Sequence, residues 1–435
     1  MRGLSSGSQI SFTYRAHAGA MDQTADVAPV DDRIPMLADP AVPATDLLGD
    51  GAAEIVATVV EPLGAEVERI RPTGTSYYPG RSLLVEHEVS VRWADGKRTK
   101  ETVVLGAGRT PPEGALTVSD GTHDIVVWRG TADPWLPGYG PAMDPAVVGP
   151  LLADLGYPAV DVRTKLRAYR PGKRAVVEVT GEGLRAFLKV VRPHTAEALH
   201  ERHQRLAGPV PVPASMGWSE EHGIVVLQAL PGRTVRQVLQ TSGSLPGPKA
   251  LTGLLDALPD PGDDDDRGAM WRGEEFADHI ATILPPVGDR VAALAGGMAP
   301  FEAEARATPT VGVHGDFYEA QVLTDGGRVV GLLDVDTFGA GRRVDDLATY
   351  VGHLVVLATT DPRREARINA HALKLLAGFD REVDPALLRA GIAGVILGLA
   401  TGSFRVLESR WQVHTEHRIA LAEQWLASAD AARNG

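Results

Sequence analysis

Cysteine is absent from all 435 positions, which excludes disulfides and thiolate-held metals and agrees with a cytoplasmic protein. No apolar run is read as reaching the roughly 20 residues that span a bilayer, so no membrane segment is expected. Met1 to Val30 is small and polar and lacks the apolar stretch of a secretion signal, and Met21 offers an alternative start. Positive charge is in deficit, with 43 Lys and Arg against 56 Asp and Glu and a formal net charge of -13. Phosphate backbones attract basic surfaces, so nucleic acid is not expected as the main partner.

What is present describes a folded chain in several parts. Hydrophobic residues at 44% and charged residues at 23% are globular proportions, and the length exceeds one ordinary core. Residues 1 to 45 carry Ser, Gly, Asp and Pro clusters without periodicity and read as a disordered tail. Residues 46 to 150 read as a small α+β unit. A short helix at Ala53 to Val60 precedes the alternating strand Leu83 to Trp93, its return Thr99 to Leu105, and a further strand Ile125 to Arg129. This unit is expected to support its neighbour without supplying a catalytic group, with Ile125 to Arg129 available to pair with the strands that follow. A stretch rich in Pro and Gly from Asp133 to Gly140 marks its end. Tyr78-Pro79-Gly80-Arg81 recurs as Tyr169-Arg170-Pro171-Gly172-Lys173-Arg174, each ahead of an apolar strand. That is a weak sign of a duplicated hairpin, which chance Pro-Gly turns explain as well.

Residues 151 to 232 alternate as strands at Lys165 to Tyr169 and Ala175 to Val179 around Pro171-Gly172, and again at Arg185 to Val191. Lys189 lies inside the third of these, where a cation is costly unless paired or holding an anion. The helix expected from His194 to Ala207 puts Glu197 and Glu201 four residues apart on one face, and Glu201 is the preferred partner of Lys189. The 171–174 turn has a single glycine, so phosphate contact would fall to Lys173 or Arg174. Val225 to Leu230, ahead of Pro231-Gly232, has the form of a strand and hinge, with Gln228 and Leu230 where main-chain groups would meet a nucleotide base. From 233 to 435 helical segments dominate, and Asp263-Asp264-Asp265-Asp266 reads as a solvated loop.

The most informative stretch runs from His314 to Asp336. Asp316 follows His314 by two residues and the amide Gln321 comes five residues later. After a turn at Asp325-Gly326-Gly327, Arg328 to Leu333 returns as a strand to Asp334. Protein kinases order an acid, an amide and a strand-borne acid in this way: the first Asp orients the attacking hydroxyl, and the other two hold Mg²⁺ on nucleotide phosphates. Asp316 is therefore the candidate base, and Gln321 and Asp334 the candidate metal ligands. Asp336 is either a second ligand or a structural hydrogen-bonding residue. His314 reads as a structural partner, and Asp345 and Asp346 as residues that fix the loop or cap the following helix.

His314-Gly315-Asp316, the Asp334-Val335-Asp336 element and Val344-Asp345-Asp346-Leu347-Ala348 together make the chain resemble the aminoglycoside phosphotransferase and choline kinase-like superfamily. Gln321 in place of Asn, with the long N-terminal extension, looks most like the bacterial maltokinase and glucosamine kinase branch. The resemblance implies an α+β, bilobal protein-kinase-like fold, with an antiparallel-sheet N-lobe at 151–232, a helical C-lobe at 233–435, and a cap at 46–150. It implies ATP and Mg²⁺ as cofactors, with Lys189 and Arg174 on the phosphates. It also places acceptor groups on a late helix, where Trp411, His414 and Glu416 stand, although Trp411 packing that helix is an equal reading. Departures from the branch fall on the acceptor side. Thr337-Phe338-Gly339 follows Asp336 where a carboxylate-glycine pair is usual, and Tyr318-Glu319-Ala320 replaces the usual His and Gly.

The expected protein is a monomeric or homodimeric small-molecule kinase whose hydroxyl acceptor is a sugar or amino sugar, with Tyr318 and Glu319 as further acceptor contacts. An antibiotic O-phosphotransferase and a non-catalytic nucleotide-binding module are the alternatives.

Overall fold

A computed structural model of the protein describes residues 39, 41–119, 121–262 and 272–434. The tail up to residue 38 and the four-Asp run therefore lie outside the described residues.

Two short helices, α1 (Ala44–Leu48) and α2 (Gly51–Val60), come first among the described residues. They cover one face of a sheet formed by β1 (Ala65–Tyr78), β2 (Ser82–Trp93), β3 (Arg98–Ala107), β4 (Thr117–Ser119) and β5 (Asp124–Arg129). The alternation read from β2 holds, since Val85, His87, Val89 and Val91 all face that core. Val42 and Ala44 are buried in it too, so the expected disordered tail is corrected from residue 41 onward. Apolar side chains on α1 and the residues just before it have a sheet face to cover, and this outweighs their loop-like composition.

Next come α3 (Tyr139–Met143), α4 (Pro145–Asp154), and the strands β6 (Arg163–Arg170), β7 (Arg174–Gly181) and β8 (Leu184–Val190). Helix α5 (Pro193–Leu206) leads to β9 (Ser215–Ser219) and β10 (Ile224–Gln228). All pairings in both sheets are antiparallel. The spatial orders are β1-β2-β3-β5-β4 and β6-β7-β8-β10-β9. The second sheet thus repeats the strand order and sense of the first, each preceded by two short helices, and α5 is the insertion that sets it apart. The paired Tyr and Pro-Gly turns sit at equivalent hairpins, β1–β2 and β6–β7. Strand β5, expected as a shared edge, lies instead between β3 and β4, so the two sheets stay separate.

The remaining chain is helical around small strand pairs. Strand β11 (Arg233–Thr234) follows the hinge, then α6 (Val235–Leu239), α7 (Pro248–Asp256), α8 (Gly273–Ile283) and α9 (Gly288–Arg306). Strands β12 (Thr310–Val313), β13 (Val322–Asp325), β14 (Arg328–Leu332) and β15 (Gly339–Arg342) frame the motif segment. Helices α10 (Arg343–Thr360), α11 (Glu365–Phe379), α12 (Pro385–Leu399), α13 (Gly402–Arg405) and α14 (Trp411–Asn434) complete the chain. The chain breaks between α13 and α14, where Leu407 and Arg410 take positive φ. Pro385–Arg405 is long and apolar enough to cross a membrane, contrary to the reading of short apolar runs. Here it is the central core stretch, packed against α8, α9, α10 and α14.

Candidate active site

The loop from His314 to Gln321 connects β12 to β13, at the seam between the second sheet and the helices. Its shape is held by backbone bonds to a single carboxylate. Asp346, fully buried at the start of α10, accepts from the His314 N–H at 2.7 Å and from the Gly315 N–H at 2.9 Å. Its neighbour Asp345 caps the helix instead, accepting from the Arg342 N–H at 2.7 Å. His314 uses both ring nitrogens structurally: Nε2 donates to the Leu333 carbonyl at 2.8 Å, and Nδ1 accepts from the Asp316 N–H at 3.2 Å. Gly315 has φ +81°, and a Cβ there would stand 2.6 Å from the Thr337 carbonyl oxygen, so glycine is required between His and Asp. This frame presents Asp316. Its carboxyl is pushed up to about 6, first by burial and then by Asp334, against the pull of Arg170 and Arg174.

Asp334 follows β14 in a left-handed conformation, φ 55° and ψ 53°, which is rare outside glycine and marks a constrained position. A 3₁₀ turn at Val335–Thr337 brings Asp336 beside it. Lys189, only 5% exposed, reaches across from β8 and donates to Asp334 Oδ1 at 2.7 Å and to Asp336 Oδ1 at 2.5 Å. Arg174, at the start of β7, closes the same pair, with bonds of 3.1 and 3.0 Å to Asp334 and 3.5 Å to Asp336. The Gln321 amide lies 3.4 Å from Asp334 Oδ2. Burial alone would raise the Asp334 carboxyl, but Lys189 and Arg174 hold it well below the usual carboxylate range.

Two carboxylates and an amide supply oxygen donors only, the chemistry of a hard cation such as Mg²⁺. Asp334 stays ionised, so its carboxylate, with that of Asp336 and the Gln321 amide oxygen, fits such an ion. No group of three or more His, Cys, Asp or Glu side chains arranged for a metal occurs among the described residues. Two protein carboxylates with phosphates and water for the rest is the usual provision for Mg²⁺ at a nucleotide.

The turn that faces this cluster is pinned from outside. Asp133, on the segment between the two sheets, accepts from the Gly172 N–H at 2.7 Å and from the Tyr169 hydroxyl at 2.9 Å. Trp128 of β5 donates to the same Tyr169 hydroxyl at 2.9 Å. Gly172 has φ +66° and is hemmed in by Arg109, Leu84 and Trp135. The first sheet therefore sets the position of the β6–β7 turn.

Several expected site residues lie elsewhere. Glu197 and Glu201 are exposed on α5, whose site-facing groups are Arg202, which donates to the Asp336 carbonyl at 2.9 Å, and the buried His203. Lys189 is paired by Asp334 and Asp336 because the helix turns its carboxylates outward. Glu319 is fully buried and bonded by Arg236 at 2.8 and 2.6 Å, so it does not face an acceptor. Tyr318 stacks on His353 with ring centroids 4.2 Å apart, under Arg236. Trp411 is buried against Phe404 in the core of the first sheet. His414 pairs with Glu408 at 3.2 Å, and Glu416 is exposed. None of these three lines the large cavity beside the site. At the hinge, Gln228 is exposed and donates its N–H to the Ala214 carbonyl at 2.9 Å. Leu230 packs at the neighbouring β13–β14 pair, beside Gly331. Arg202, Asp133, Arg170 and Arg405 were not legible as site residues. Only Arg170, next to the flagged turn, carried any sequence signal.

Solved structures resemble this one over part of its length. An aminoglycoside phosphotransferase, APH(3'')-Id, from Streptomyces rimosus is 18% identical, covering 58% of this chain and 97% of its own, with a TM-score of 0.42. A macrolide 2'-phosphotransferase from Brachybacterium faecium is 19% identical over 64% of this chain and 97% of its own, at 0.40. A choline/ethanolamine kinase family protein from Mesorhizobium loti is 16% identical over 62% and 93%, at 0.43. No curated protein matches the chain. A family profile described as the phosphotransferase enzyme family (APH) matches residues 165–383, which contain every residue of the Lys189, Asp316 and Asp334 constellation. With half of its length matched by that profile, the chain belongs to the APH phosphotransferase enzyme family.

Proposed function

We propose that the protein is an ATP- and Mg²⁺-dependent kinase that phosphorylates a hydroxyl of a small molecule, a sugar in the manner of the maltokinase and glucosamine kinase branch. The observation that carries the reading is the convergence of Asp316, Gln321, Asp334, Asp336 and Lys189, from three separate stretches of chain, on one cleft. Asp316 is held by its loop with a carboxyl near neutrality, suited to orient the acceptor hydroxyl and take its proton. As the acceptor oxygen bonds to the γ-phosphorus, the bond from that phosphorus to the bridging oxygen breaks and ADP leaves. Lys189 and Arg174 supply the positive charge that phosphate oxygens require. Gln321, Asp334 and Asp336 would hold Mg²⁺, which neutralises charge on the nucleotide phosphates when bound. The protein's contribution is positioning and electrostatics rather than covalent chemistry.

Acceptor-dependent ADP release tests this, run with wild-type protein and Mg-ATP against neutral sugars, amino sugars, sugar acids, sugar phosphates, aminoglycosides and amino alcohols. Turnover with one sugar class, abolished by chelation, supports the proposal. Turnover confined to aminoglycosides would make it a resistance enzyme instead. Failure to bind Mg-nucleotide at all would refute it.

A further inference from the structure

A cavity of about 730 Å³ lies between the first sheet and the helices. One wall is β1 from Thr73 to Tyr78, and another is the β6–β7 turn at Arg170. The third is formed by α8, the end of α12, and α13 with Arg405. The walls are joined: the Tyr77 ring meets His279 edge-on at 5.7 Å and Phe404 at 6.5 Å. The first sheet was expected to support its neighbour only, yet it builds one side of this compartment. The charge of Asp316 acts on both Arg170 and Arg405.

The cations facing this space outnumber what the protein pairs. Among the described residues, neither Arg170 nor Arg405 is within ion-pair distance of a carboxylate. Burial and then the like charge of Arg170 pull the Arg405 guanidinium below its ordinary pKa. Lys173 bonds the Tyr78 hydroxyl, and Arg109 lies over that ring at 5.9 Å. Burial would raise the Tyr78 hydroxyl, but Lys173, Arg109 and Arg170 together hold it down. The carboxylates that line the cavity do not relieve this. Glu275 is paired with Arg272 at 3.3 Å, and Glu86 is bonded by Thr73 with its carboxyl pushed up by burial. Asp278 is exposed on α8. Two solvent-exposed guanidinium groups without a carboxylate partner in a concavity are the recognition chemistry of a carboxylate or phosphate.

We propose that this cavity is the acceptor subsite, and that Arg170 and Arg405 select an acceptor bearing an anionic group, carboxylate or phosphate, besides its reacting hydroxyl. The word acceptor rests on the phosphotransfer reading; the binding of an anionic polyol does not.

Calorimetric titration of the full chain without nucleotide, at low ionic strength, with gluconate, glucose 6-phosphate, glucose and glucosamine tests the subsite directly. One or both anionic sugars are expected to bind about tenfold or more tighter than glucose, with glucosamine weakest. Preference for gluconate identifies a carboxylate acceptor, and preference for glucose 6-phosphate a phosphorylated one. Arg405→Gln and Arg170→Gln, each checked for folding by circular dichroism, should weaken that binding about tenfold or more. Arg405→Lys should retain part of it. Glucose or glucosamine binding as tightly as the anionic sugars, no binding by either anionic sugar, or unchanged affinity in folded variants would overturn the proposal. Displacement of the anionic sugar by Mg-ATP would assign the arginines to the nucleotide and also overturn it. Anionic sugars that bind but are never phosphorylated would leave the subsite standing and sink the kinase reading alone.

Discussion

Lys189 Nζ lies 2.7 Å from Oδ1 of Asp334, joining the second sheet to the loop region by a bond between a buried cation and a constrained carboxylate. Removing one partner of such a pair leaves the other uncompensated, which is the costly way to break it. Lys189→Met should therefore lower thermal stability in chelator, and Mg²⁺ should restore more of the loss than it adds to wild type. Turnover should fall about a hundredfold or more, since the charge on the phosphates is lost. Melting curves with and without Mg²⁺ check the first part and steady-state assays the second. Equal Mg²⁺ stabilisation in both proteins would separate Lys189 from the metal carboxylates.

Asp316 gives a stability effect opposite in sign to its catalytic one. Its folded carboxyl titrates near 6, above the ordinary 3.8, so the folded state binds this proton more tightly than the unfolded state. The contribution is full below about pH 4 and is lost as pH rises through 6, a swing of about 2–3 kcal/mol. Asp316→Asn should accordingly melt higher than wild type at pH 8 and equally at pH 4, while turnover drops about a hundredfold or more. The kcat/KM of wild type should climb with pH through about 6. A melting difference that does not change with pH would contradict the buried charge.

The loop carrying Asp316 depends on Asp346, which serves two backbone N–H groups. Asp346→Asn keeps one acceptor oxygen and should cost about 1–3 kcal/mol, and Asp346→Ala more. Both should reduce kcat with little change in nucleotide affinity, read by denaturant titration and calorimetry on the same variants.

Gly172 couples the first sheet to the turn above the cluster. Gly172→Ala forces a Cβ into positive φ and toward Arg109. The expected result is a raised KM for ATP, by about tenfold. A variant with ordinary ATP kinetics would show that this turn does not meet the nucleotide.

Truncation follows from burial. Removal of residues 1–45, which read from sequence as a disordered tail, takes away Val42 and Ala44, which are buried under β2. It should lower the melting temperature, and removal through 150 should yield insoluble protein because Phe404 and Trp411 lose their cover. Full activity in the larger truncation would sever the first sheet from the site.

The residues legible in the sequence are those whose roles are fixed within a few positions of one another. His314, Gly315, Asp316, Gln321 and Asp334 sit on one loop and its hairpin, so spacing alone orders them. Lys189 stood out because a cation in an apolar strand needs a partner. That partner was misread, since the rotation of α5 about its axis is set by what packs beneath it: Leu199 and His203 face inward and Glu197 and Glu201 turn out. Trp411 was ambiguous for the same reason, because only the first sheet's core reveals that its ring is covered. Arg405 carried no local signal, and its place on the cavity wall comes from the turn of α13 away from α12 and the break before α14.

Asp334 and its neighbours should form a Mg²⁺-dependent nucleotide site distinct in role from Asp316. Calorimetric titration of a non-hydrolysable ATP analogue, with and without Mg²⁺, into wild type, Asp334→Asn and Asp316→Asn tests it most directly. Wild type and Asp316→Asn should bind with similar affinity and only with Mg²⁺, and Asp334→Asn should not bind. Mg²⁺-independent binding, or undiminished binding by Asp334→Asn, would mean that Asp334 does not hold the metal-bound nucleotide.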